Sequence, residues 1–112
     1  MNTNYTRDRD GHKATTLVDL GNQRELQITT SKSSSGPLTT RASVHQIEGN
    51  TRRHIFGFGG TRGDFSKQII CSFPARVTAN AVREQHERCL VQLDEINQAI
   101  QAHYEAQAAA NA

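Results

Sequence analysis

The chain has 112 residues and a mass of 12.4 kDa, with 35% hydrophobic and 21% charged residues and a formal net charge of +2. That size holds one domain with one modest core, and it excludes a multidomain assembly. The charge is uneven: residues 41–76 carry six Lys/Arg against two Asp/Glu, a net of +4, whereas residues 77–112 carry two against five, a net of −3. An anionic partner is therefore expected at the middle of the chain.

Cys71 and Cys89 form no CxxC pair and have no zinc spacing with the five histidines, so buried free thiols and no metal or other cofactor are expected. The N-terminus lacks the apolar stretch of a signal sequence, and no run is long enough to span a bilayer. The expectation is a cytoplasmic protein with no membrane partner.

Residues 1–13, polar and charged with Tyr5 as the one aromatic, read as a flexible N-terminal arm. Residues 14–106 read as a single sheet-plus-helix domain, and 107–112 as a frayed tail. TTLVDL is a short β-type run, Gly21-Asn22 supplies a turn, and RELQITT alternates Leu26 and Ile28 against Glu25, Gln27 and Thr29. SKSSSGP is a connection with a Gly-Pro stop.

Leu38 to Glu48 and Thr51 to Phe58 form a hairpin about Gly49-Asn50, because both central positions of a two-residue turn need positive φ. Counting outward, Glu48 faces Thr51 and His45 faces His54. The same count puts Val44 opposite Ile55 on the buried face, and pairs Ser43 with Phe56 and Arg41 with Phe58 on the other. That second face is basic and aromatic.

GFGGTRG, from Gly57 to Gly63, matches neither a dinucleotide fingerprint nor a Walker loop, since Arg62 takes the third glycine position and no Lys-Ser or Lys-Thr follows. It reads as a flexible loop presenting Arg62. Phe65 to Phe73 makes a fifth strand, which Pro74 ends.

Thr78 or Asn80 caps a helix running to about Ala106. Val82, His86, Cys89, Leu93, Ile96, Ile100 and His103 form a seam at alternating spacings of four and three. A helix of roughly 28 residues is about 42 Å long, while a six-residue strand spans about 20 Å. The surplus seam at Leu93, Ile96 and Ile100 is accordingly expected to bury against a second copy, giving a homodimer, the alternative being the N-terminal segment folded back over it.

The fold class is thus α+β: an antiparallel meander of about five strands followed by one long C-terminal helix on one sheet face. In order of elements, residues 14 to 106 are similar in outline to Whirly-type single-strand-binding modules, with no residue motif accompanying the likeness. No nucleophile–base pair, carboxylate pair or metal centre emerges, so a non-enzymatic binding protein is expected. The leading expectation is single-stranded nucleic acid on the basic and aromatic face, with Arg41, Arg52, Arg53, Arg62 and Lys67 at phosphates and His54, Phe56 and Phe58 beneath bases. The alternative is a protein-binding adaptor or an inhibitor of a host enzyme, of the kind phages and plasmids encode.

Overall fold

The computed structural model describes residues 2–9, 11–32, 37–57 and 70–110, and side chains for all of these except residues 54–57, 70 and 71. Five antiparallel strands follow in spatial order: β1 (Asn2–Asp8), β2 (Gly11–Gly21), β3 (Arg24–Lys32), β4 (Leu38–Glu48) and β5 (Thr51–Gly57). A short β6 (Ile70–Ser72) pairs with the start of β4 at Leu38–Thr40. Two helices complete the chain, α1 (Ala79–Leu90) and α2 (Leu93–Ala110). The fold is the expected α+β arrangement, a meander followed by a helical layer on one face.

The alternation seen in RELQITT extends across the sheet. Ala14, Thr16, Leu26, Ile28, Thr30, Leu38, Thr40, Ala42 and Val44 are all buried, so even-numbered positions of β2, β3 and β4 face the helices. Thr78 caps α1 from an extended conformation, its Oγ1 accepting the Ala81 N–H at 3.1 Å. The predicted seam is the buried one: Val82, His86, Cys89, Ile96 and Ile100 are sealed, and Leu93 is half-buried.

Four features depart from the expectations. The first is that the supposed arm contributes β1, which pairs with β2 along its whole length without a shift. Apart from Tyr5 its residues are all polar or charged, so hydrophobic periodicity had nothing to register there.

The second is the β2–β3 turn, which sits on Asn22-Gln23 (φ 55° and 61°) and not on Gly21-Asn22. Asp19 Oδ1 accepts the Gly21 N–H at 2.8 Å beside a register shift, and the Gln23 carbonyl accepts the Ile47 N–H at 2.7 Å, which holds the strained turn from β4.

The third is a bulge in the central hairpin. The pairs Glu48 with Thr51 and His45 with His54 are as counted, but Ile55 is then skipped, so Val44 pairs with Phe56 and Ser43 with Gly57. One extra residue reverses parity, and Phe56 leaves the rung of Ser43 for that of the core-facing Val44.

The fourth concerns the helix, which is interrupted at Val91-Gln92. The Val91 N–H still reaches the Glu87 carbonyl, whereas the Gln92 N–H reaches Cys89, a single tightened turn between the two helices. Ile96 and Ile100 pack with Leu26, Ile28, Ala42 and Val44 of their own sheet, and Arg24 lies 3.9 Å over the Tyr104 ring farther along. An 11-residue strand is about 36 Å long, well beyond the six-residue expectation, so the sheet reaches beneath Leu93, Ile96 and Ile100, which are spent within the chain and do not require a second copy.

A buried polar spine crosses the sheet under α1. Gln85 Nε2 donates to the Leu38 carbonyl at 2.9 Å and to Thr40 Oγ1 at 3.1 Å, while Ser72 Oγ donates to Gln85 Oε1. Thr40 and Thr30 hydroxyls are 2.7 Å apart, Thr30 is 2.8 Å from His86 Nδ1, His86 Nε2 is 2.6 Å from Thr16, and Thr16 is 2.7 Å from Thr3. A neutral His86 ring satisfies both neighbours, one nitrogen donating to its threonine hydroxyl and the other accepting from its own.

Candidate functional site

Both helices occupy the even face, which leaves the odd face of β2–β4 as the open one among the described residues. The strand registers arrange it in rungs: Thr6–Lys13–Ser31–Thr39, then Asn4–Thr15–Thr29–Arg41, then Asn2–Leu17–Gln27–Ser43, then Asp19–Glu25–His45–His54. Ile47 and Arg52 form the outermost pair at the hairpin end. Long strands carrying mostly short polar side chains make the described part of this face a shallow platform.

Its charge is segregated. Asp19 and Glu25 share one rung near the hairpin, whereas the rungs of Lys13 and Arg41 carry hydroxyl and amide groups and no carboxylate. Asp8 lies one rung outside Thr6, at the end of β1. Arg41 is exposed and Lys13 half-buried.

The hairpin arginines are differently placed. Arg52 Nε donates to Glu25 Oε1 at 2.8 Å, and Glu25 is nearly buried. That hydrogen bond and the carboxylate charge push the Arg52 pKa up. Arg53 Nε donates to Glu48 Oε1 at 2.8 Å in an exposed pair. Of the sequence-derived set, therefore, Arg41 alone stands on the open face among the described side chains without a carboxylate at hydrogen-bond distance. His54 lies opposite His45 by register and Phe56 opposite Val44; the side chains of both are outside the described residues. So are Phe58, Arg62 and Lys67 in their entirety, with the loop expected to carry Arg62.

No family model, curated protein or solved structure matches the chain. The chemistry of its own side chains has to carry the reading.

Sequence counting missed Lys13, Thr15 and Thr29 as platform residues, although RELQITT already assigned Thr29 to the face opposite Leu26 and Ile28. Lys13 was lost with the arm. Among groups with catalytic potential, His86 is sealed in the spine, and Cys89 is fully buried, its thiol pushed up to about 11 by desolvation. Neither meets solvent. Among the described residues no cluster of three or more His, Cys, Asp or Glu is poised to hold a metal ion.

Proposed function

We propose that the chain is a non-enzymatic binding protein that takes single-stranded nucleic acid on the open sheet face, centred on the Lys13 and Arg41 rungs. The observation that carries this reading is the pair of adjacent rungs in which Lys13 and Arg41 stand among hydroxyl and amide groups, away from the Asp19–Glu25 rung. Two cations spaced along an acid-free strip suit phosphates of one strand, and Thr15, Thr29, Ser31 and Asn4 supply hydrogen bonds to sugar and phosphate oxygens. Half-buried Leu17 offers an apolar contact beside them. Arg52 and Arg53, held by Glu25 and Glu48, contribute less to this surface than unpaired arginines would.

Fluorescence anisotropy of a labelled single-stranded oligonucleotide at two salt concentrations tests it. Two phosphate contacts per protomer give a log–log salt slope of about −1.4, so a fourfold rise in salt weakens binding about sevenfold. Arg41→Glu abolishes binding at low salt and Arg53→Glu changes it little. Absence of binding at low salt, or binding indifferent to Arg41→Glu, overturns the proposal. If a nuclease-treated pull-down instead returns one stoichiometric protein partner, the adaptor reading takes its place.

A further inference from the structure

Among the described residues β1 is the outer strand of the sheet, bonded to β2 alone. Such edges are ordinarily blunted by proline, lysine, a bulge or extreme shortness. β1 has none of these over its seven residues, NTNYTRD. Its charges, Arg7 and Asp8, lie at one end, and Tyr5 at its centre is 44% exposed.

We propose that two copies of this chain join β1 to β1 in an antiparallel ladder, with Tyr5 on the two-fold axis. The register follows from geometry. A two-fold perpendicular to the sheet keeps the helices of both copies on one side, and directly opposed residues of an antiparallel pair share a face, so partners must have the same parity. The axis therefore passes through a residue. Placed on Tyr5, it pairs all of Asn2–Asp8; moved to Asn4 or Thr6, it leaves only residues 2–6 or 4–8 in the ladder. The Tyr5 axis sets the two exposed rings side by side and opposes no like charges within the ladder, where Arg7 meets Thr3 of the second copy and Asp8 meets Asn2; the two Arg83 guanidinium groups, each 5.1 Å from the centroid of its own Tyr5 ring, lie to either side of the axis on the helix face.

On the open face the same axis places Asn4 against Thr6 of the other copy. The Arg41–Thr29–Thr15–Asn4 rung then runs straight into Thr6–Lys13–Ser31–Thr39, and its symmetry mate runs beside it. Eight strands at about 4.8 Å make one uninterrupted polar track about 34 Å across. Use of that track rests on the nucleic-acid reading, but the assembly does not.

Sedimentation equilibrium of the full chain without nucleic acid tests the assembly. The wild type is expected to show a monomer–dimer equilibrium that shifts with concentration. Asn4→Glu/Thr6→Glu sets glutamates opposite one another across the axis and should sediment as a monomer, as should Asn4→Lys/Thr6→Lys. An equimolar mixture of the two should regain the dimer mass, which a misfolded variant would not do. A wild type that stays monomeric at every concentration, or a mixture that stays monomeric, overturns the proposal. Dimerisation without oligonucleotide binding would overturn only the nucleic-acid reading.

Discussion

His86 tests the reasoning about the core most directly. Its ring has no exposure and spans Thr16 and Thr30 on neighbouring strands. Each hydrogen bond contributes about 1 kcal/mol net, and the void left by the ring adds roughly 1 to 3 kcal/mol. His86→Ala should therefore destabilise the fold by about 3 to 5 kcal/mol. His86→Gln, whose amide can take the place of Nε2 beside Thr16 but leaves Thr30 without its ring partner, should cost about 1 to 2 kcal/mol.

The pH dependence follows from the same geometry. Burial lowers the His86 pKa from 6.5, so below that pH the unfolded chain takes up a proton that the folded chain refuses. Stability is full above pH 6.5, and it falls with acidity by up to about 1.4 kcal/mol per pH unit until the folded-state pKa is reached. A doubly protonated ring donates from both nitrogens, so whichever threonine hydroxyl, Thr16 or Thr30, had donated to it must turn its proton elsewhere in a sealed spine. Denaturant titrations of wild type and His86→Gln across this range isolate the effect, because carboxylate contributions cancel in the difference. Identical pH profiles for the two proteins, or a wild type that gains stability relative to the variant on acidification, would refute the account.

Two further outcomes follow from burial. Cys89, pushed up to about 11, should resist alkylation in the native state at about pH 8, where roughly a thousandth would be thiolate, and should react on unfolding; rapid native labelling mapped to Cys89 would contradict its place in the core. Ile96→Ala should cost about 2 to 5 kcal/mol, equally at low and high protein concentration, since Ile96 packs within its own chain. A cost that grows with concentration would return that residue to an interface between copies.

The sequence was most legible where apolar residues kept a strict period. Leu26 and Ile28 fixed the inner face of β3, the four-and-three spacing from Val82 to Ile100 fixed the inner stripe of the helices, and Gly49, with φ of 62°, fixed the hairpin. Legibility failed where polar residues took structural positions. Thr16, Thr30 and Thr40 are completely buried yet resemble solvent-facing strand residues, and Gln85 lies off the apolar stripe although it is sealed beside His86. The bulge at Ile55 carries no residue that demands it, so counting outward from the turn lost parity after His54. Strand length was the other hidden quantity: a sheet of short strands would have left Ile96 and Ile100 uncovered, and the dimer expected through α2 rested on that length alone.

The break at Val91-Gln92 divides the helical layer into two kinds of adhesive. Between its apolar contacts at Val82 and Cys89, α1 is held by Gln85 and His86 through hydroxyl, amide and imidazole groups whose strength depends on direction and proton count, while α2 rides on Leu26, Ile28, Ala42 and Val44, which respond to neither. Acid should therefore loosen one end of the roof while the other stays shut, and exchange of amide hydrogens would reveal a molecule that opens like a box with a single hinge.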